Sequence, residues 1–415
     1  MTELARRLGV SDAVVIGLGS MLGAGVFVVF APAAALAGGT GMLLALAVAG
    51  LVAFCNATSS ARLAARYPES GGTYVYGRER LGDFAGFLAG WGFVVGKTAS
   101  CAAMALTIGV YLWPAQARIV AVLAVLALTT VNLFGVAKTA LATRILVALT
   151  GFVLVVVVVV GAPHGEIANV HSGLSWTGVL PAAGLLFFAF AGYARVATLG
   201  EEVRDPARTI PRAIPLALGV VLVAYLVVGA IALAVLGPVR LGHSTAPLAD
   251  VVSAAGRPGL AWLVRIGAGI AVTGVLLALI AGVGRTTLAM ARRRDLPGFL
   301  DAVHPRSRVP HRAELVVAVA VVILVSLGDL RGAIGFSSIT VLVYYAIANA
   351  SALTLGREPG RRLPVQALAG TGLVGCVVLV LTLPWRSTVA GLAVLGLGAA
   401  GYGVRAAVTR RASGA

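Results

Sequence analysis

Apolar runs of about 20 residues follow one another along almost the whole chain, parted only by short polar stretches, and few folds can absorb that pattern. A helix that crosses a bilayer needs about 20 apolar residues. Reading the runs against Gly, Pro and charged breakers predicts twelve such helices. They fall at 12–36, 41–66, 84–112, 116–134, 140–161, 177–200, 212–236, 260–291, 314–327, 333–356, 365–383 and 387–405. Composition excludes a soluble alternative: of 415 residues, 59% are hydrophobic and 11% charged, with a mean hydropathy of +0.99. A soluble domain carries roughly 25% charged residues. The chain therefore reads as one all-α polytopic membrane domain over residues 1–415, with the lipid bilayer as its first partner.

The net charge of +17 comes from 32 Lys and Arg against 15 Asp and Glu. A nucleic-acid binder gathers its basic residues on one folded face or in a tail. Here they sit between apolar runs, so no nucleic-acid partner is expected. With the N-terminus inside, 24 Lys and Arg fall on the cytoplasmic side and six on the outer side: Arg118, Arg240, Arg257, Arg265, Arg331 and Arg386. Cytoplasmic loops carry such an excess, which predicts cytoplasmic N- and C-termini in a bacterial-type cytoplasmic membrane. Lys97 and Arg195 remain, both inside spans. No cleavable leader is expected, because the first apolar run is too long and lacks a small-residue cleavage site. Cys55, Cys101 and Cys376 lie far apart inside apolar runs and read as buried small hydrophobes.

Two spans are interrupted near their middles. The first reads Gly17-Leu18-Gly19-Ser20-Met21-Leu22-Gly23-Ala24-Gly25-Val26-Phe27, four glycines within nine residues. Each Gly costs up to about 1 kcal/mol in a helix interior relative to Ala. The sixth reads Phe187-Phe188-Ala189-Phe190-Ala191-Gly192-Tyr193, with Arg195 shortly after. Irregular backbone at bilayer depth is tolerated only where it is buried or lines a cavity. Gly19-x-x-x-Gly23 alone would be explained by close helix packing. A counterpart in span six, the first helix of a second set of five, points instead to a transporter site between inverted halves.

At these residues the sequence resembles the amino acid–polyamine–organocation (APC) family of permeases. Gly23-Ala24-Gly25-Val26-Phe27 is similar to the family's Gly-Ser-Gly-Ile-Phe break in helix 1. Tyr67-Pro68-Glu69-Ser70-Gly71-Gly72-Thr73-Tyr74, with Gly82 and Gly90-Trp91, resembles the loop after helix 2 and the start of helix 3. Phe188–Gly192, Gly200-Glu201-Glu202-Val203-Arg204-Asp205-Pro206, Arg208 and Ile210-Pro211 resemble helix 6 and its tail. Arg285, Met290-Ala291-Arg292, Leu296-Pro297, His304 and Pro310 resemble the end of helix 8 and its loop. The resemblance implies a leucine-transporter-like fold. Residues 12–161 and 177–356 would form two inverted five-helix repeats, and 365–405 two further C-terminal helices.

A broken helix leaves unpaired N–H groups on one half and unpaired C=O groups on the other. The N–H groups suit a carboxylate and the carbonyls an ammonium, so one cavity can hold the backbone of an amino acid with few charged side chains. The resemblance puts carboxylate contacts on the amides of Met21, Ala24 and Gly25, around Gly23. It puts ammonium contacts on the carbonyls of Met21, Phe188, Ala189 and Ala191. Ala24 departs from the family's Ser and lacks its hydroxyl. Phe190 and Tyr193 resemble positions that line the side-chain pocket or form a thin gate, though aromatics in spans also serve packing alone.

Lys97 sits mid-span, where a charged residue is costly and marks function. It is a candidate proton carrier, or a fixed stand-in for a coupling sodium ion. The bland alternative is a lysine bonded to carbonyls at a helix break. Some members of the resembled family place a lysine in helix 5; helix 5 here, residues 146–161, has none. Arg195 is expected to pair with Glu201 or Glu202 on the cytoplasmic side, the alternative being that it attracts an anionic substrate group, and Glu201, Glu202 and Arg285 form an expected inner gate with it. Ser20 and Thr273 are too weak a pair to define a sodium site.

Enzyme chemistry finds no support. All five histidines fall in loops, with no HExxH or Cys/His cluster, no Walker A loop and no acidic pair within a span. No catalytic residue, metal or cofactor is expected. The sequence points to a secondary active amino acid permease working by alternating access, coupled to protons or running as an exchanger (an antiporter). A permease for polyamines or other organic amines, and a membrane sensor that binds without transporting, are the rivals.

Overall fold

The computed structural model describes residues 8–67, 71–135, 140–197, 203–355 and 363–413. Among them the chain is helical and forms no strand, only an isolated parallel bridge between Leu8 and Val203. The helices are α1 (Val10–Met21), α2 (Ala24–Val28), α3 (Phe30–Arg66), α4 (Thr73–Leu81), α5 (Asp83–Leu112), α6 (Ala117–Leu133) and α7 (Ala140–Gly161). There follow α8 (Ile167–His171), α9 (Trp176–Phe190), α10 (Ala194–Ala197), α11 (Pro206–His243), α12 (Pro247–Ala254) and α13 (Pro258–Arg292). The last four are α14 (His311–Leu327), α15 (Leu330–Leu355), α16 (Leu363–Thr382) and α17 (Trp385–Ser413).

Ten helices among the described residues are long and apolar enough to cross a membrane. The other two of the twelve expected spans are short. The apolar part of α16 is Gln366–Thr382, and α14 has 17 residues with Glu314 in its first turn. The expected division between spans one and two falls inside α3, at Gly38 (φ 74°, ψ −164°). Only glycine adopts that backbone without strain, and a Cβ there would also run into the Gly173 carbonyl. Gly237 (φ 66°) likewise ends the long part of α11.

The inner bundle is built by α3 against α9 and α11, and by α5 against α13 and α15. Its core is small-grained, with Ala33, Ala45, Ala49, Ala102, Ala103 and Ala183 fully buried, which lets the helices approach closely. By contrast α6, α7 and α17 turn Leu123, Leu126, Phe152, Val155, Leu397 and Val404 outward. A bilayer covers such residues without cost. Trp113, Trp176, Trp262 and Trp385 are exposed and sit at helix ends, as interfacial indoles do.

Candidate functional site

Both expected helix breaks form. The first opens after Met21, where Leu22 (φ −75°, ψ 54°) and Gly23 (φ −111°, ψ −143°) leave the helical region. The Gly23 N–H donates to the Met21 carbonyl at 2.7 Å, and α2 restarts at Ala24. In the second, α9 ends at Phe190 and Ala191–Tyr193 tighten into a 3-10 turn before α10. The breaks lie against each other. A Cβ at Gly25 would stand 2.5 Å from the Cα of Ala189, and one at Gly192 would collide with the Ser20 carbonyl. Glycine is required here by backbone-to-backbone contact. Met21, Gly23, Ala24, Gly25, Phe188, Ala189, Phe190, Ala191 and Tyr193 are all buried at this junction.

The exposed ends of the breaks are occupied by side chains of the chain itself. The Tyr225 hydroxyl, from α11, reaches the carbonyls of Met21 at 2.6 Å and Ala189 at 3.1 Å. The Tyr345 hydroxyl, from α15, donates to the Ala191 carbonyl at 3.3 Å. Three of the four carbonyls assigned to a substrate ammonium thus carry a side-chain donor. Aromatic rings wall the junction: Phe190 packs on Tyr225 (5.2 Å between centroids), Tyr193 stacks on Tyr345 (4.9 Å), and Phe187 meets Tyr345 edge-on. Tyr111 from α5 donates to the Phe27 carbonyl at 2.7 Å, closing the junction along α2.

Lys97 enters this set directly. Its Nζ donates to the Ala191 carbonyl at 3.2 Å, and the residue is only 7% exposed. Gly96 presses α5 onto Thr340 of α15, and the Ser100 and Ser337 hydroxyls meet at 2.7 Å. That close seam aims the lysine across to the second break. The other charged residues fare differently. Arg195 is exposed on α10, not enclosed in the bundle, and Glu201 and Glu202 lie outside the described residues. Arg285 is exposed, and its neighbour Gly284 packs on the side chain of Glu314, a buried carboxylate.

A second polar centre lies where α4, α13 and α17 converge. Asp295, just past the end of α13, accepts from the Tyr74 hydroxyl (2.6 Å), Arg78 (2.6 Å) and Arg405 (2.9 Å). Arg78 and Arg293 also flank the Tyr74 ring. Burial first, and then the Asp295 carboxylate, push the Tyr74 hydroxyl above the ordinary phenol range. A cavity of about 570 Å³ borders Asp295, Leu296, Gly298 and Arg405. On the same side of the bundle, Arg144 of α7 pairs with Asp12 of α1, and the Arg204 N–H donates to the Leu8 carbonyl at 2.9 Å.

Sequence reasoning missed Tyr225, Tyr345 and Asp295. A signal existed for the first two: Tyr225 is the lone hydroxyl-bearing aromatic in an otherwise aliphatic run, and Tyr344-Tyr345 is an adjacent pair within a span. Asp295 offered none, because its partners are more than a hundred residues distant along the chain.

Comparison with known proteins shows the family. The amino acid permease family signature matches residues 12–386. The chain is 64% identical to an uncharacterized transporter of Mycobacterium tuberculosis, over 99% of this chain and 93% of that one. It is 27% identical to a branched-chain amino acid permease of Bacillus subtilis, over 93% and 90%. A chloroplastic cationic amino acid transporter of Arabidopsis thaliana is 28% identical, over 94% of this chain and 72% of that one.

Proposed function

Because the chain belongs to the amino acid permease family, we propose that it carries amino acids across the cytoplasmic membrane by alternating access around the paired breaks. The observation that carries this is the contact of two helix interruptions, backbone to backbone, in the buried middle of the bundle. The first-turn amides of Ala24 and Gly25 are donors a helix start cannot satisfy itself and suit a carboxylate. The carbonyls of Met21, Phe188, Ala189 and Ala191 suit its ammonium. Phe190 and Tyr193 bound the side-chain pocket. A neutral side chain fits a junction where, among the described residues, no carboxylate pairs with Lys97; the relatives' names point both ways, to branched-chain and to cationic amino acids.

In this reading residues 12–161 and 177–356 are the two inverted repeats and 365–405 an appendage. Both termini face the cytoplasm. Opening inward then parts Leu8 from Arg204 and Asp12 from Arg144, and we assign Arg195 and Arg285, with Glu201 and Glu202 from the sequence, to the same inner gate. Lys97 couples the cycle to protons. The test is uptake of a panel of labelled amino acids into proteoliposomes, with a proton gradient of either sign, a sodium gradient, or unlabelled amino acid preloaded. Saturable uptake that responds to the proton gradient, and loses that response in Lys97→Ala, is expected. Folded protein with no flux under any condition overturns the reading.

A further inference from the structure

Resting on the amino acid reading, we infer that Lys97 holds the place of the substrate's ammonium, so that binding an amino acid expels the Lys97 proton and the protein is an amino acid–proton antiporter. The geometry of one oxygen carries this. A carbonyl has two lone pairs, and both on Ala191 are taken, by Lys97 Nζ at 3.2 Å and by the Tyr345 hydroxyl at 3.3 Å. Both on Met21 are taken too, by the Gly23 amide and the Tyr225 hydroxyl. An arriving ammonium therefore cannot add to the Ala191 carbonyl; it must replace a donor already there.

The groups facing Lys97 decide which donor leaves. On its own helix the thiol of Cys101 lies one turn on. From α15 comes Tyr345, and from the second break Tyr193, stacked on it. No carboxylate of the protein lies within ion-pair distance of Lys97 among the described residues, and the substrate's own carboxylate, engaged by the Ala24 and Gly25 amides, matches only one of two ammonium groups. Like charges at close range in dry surroundings disfavour one another. Lys97 relieves the conflict by giving its proton to the solution on the side from which the amino acid came. The neutral amine left behind has a lone pair and accepts a hydrogen bond from the substrate's ammonium.

After the carrier turns and releases its amino acid, Lys97 takes a proton from the far solution and returns to Ala191. Amino acid and proton thus move in opposite senses, one for one. Where the proton gradient points into the cell, the cycle expels amino acid.

The test uses the full chain in lipid nanodiscs, weakly buffered with a pH-indicator dye, and titrated singly with each of the twenty proteinogenic amino acids while binding is followed by calorimetry. The wild type should release about one proton per amino acid bound, and Kd should fall as pH rises, by up to about tenfold per pH unit. Lys97→Met should bind with no proton release and with a Kd independent of pH. Lys97→Arg, whose charge cannot leave, should bind at least about tenfold more weakly throughout. Binding by the wild type with no proton change, or with proton uptake, overturns the antiport while leaving the amino acid reading intact. If none of the twenty binds, both fall. The wild-type stoichiometry decides the matter even where a variant fails to fold.

Discussion

At the scale of single residues, the candidate site is governed by what fills the acceptors of broken helices. Tyr225 is the plainest case, since its hydroxyl serves two carbonyls that a substrate ammonium would also seek. Removing it in Tyr225→Phe should lower the unfolding midpoint of the substrate-free protein. A buried hydrogen bond contributes about 1 kcal/mol net, and an orphaned carbonyl costs more. The same change should tighten amino acid binding roughly fivefold, because the ligand then satisfies what the tyrosine abandoned. Calorimetry reads both effects, and unchanged or weaker binding would count against a shared acceptor. Gly192 tests the other requirement. Gly192→Val should cost about 1–3 kcal/mol through forced separation of the two breaks and abolish uptake, whereas Gly282→Val, at a glycine with open space beside it, should change neither.

At the scale of elements, Asp295 joins three pieces that the chain order keeps apart. Arg78 of α4 is more enclosed than Arg405 of α17, with side chains 18% and 41% exposed. Breaking a buried pair by removing one partner costs about 3 kcal/mol or more, and exposure reduces the share of the wetter partner. Arg78→Ala should therefore lower the unfolding midpoint more than Arg405→Ala, with Asp295→Asn the most damaging of the three; the reverse order in a thermal melt would refute this ranking. The raised Tyr74 hydroxyl stays protonated at any physiological pH, so its bond to Asp295 outlasts the ordinary phenol value of about 10, and the stability it contributes starts to fall only as pH rises past that value. This centre was invisible in the sequence, where Asp295 is one acid in a polar loop. The breaks were legible because clustered glycines weaken a helix locally, and Lys97 because a charge in an apolar run is costly. The donors that cap the breaks were legible only as tyrosines in apolar runs and not as caps, since Tyr111, Tyr225 and Tyr345 come from three different helices and meet only in the folded bundle.

At the scale of the whole molecule, hydropathy made the all-α, many-span character readable, because the bilayer imposes it, although ten helices among the described residues, not twelve, are long and apolar enough to cross. The depth of each charge was not readable from spans alone. Lys97 and Arg195 both stand within predicted helices, yet the fold encloses the first and exposes the second. One fixed cation therefore remains beside the breaks, with no carboxylate paired to it among the described residues. A chain of net charge +17 repels further cations from its surroundings as well. An amino acid with a cationic side chain would bring two positive charges to a junction that already holds one, and a single proton leaving Lys97 offsets only the first. Desolvating the second without a partner is costly. Arginine and lysine should thus compete with labelled neutral amino acids at least about tenfold more weakly than neutral amino acids do, a gap of about 1.4 kcal/mol. Competition uptake in proteoliposomes measures it, and saturable arginine or lysine transport equal to that of neutral amino acids would show that the enclosed lysine does not set the charge selectivity of the junction.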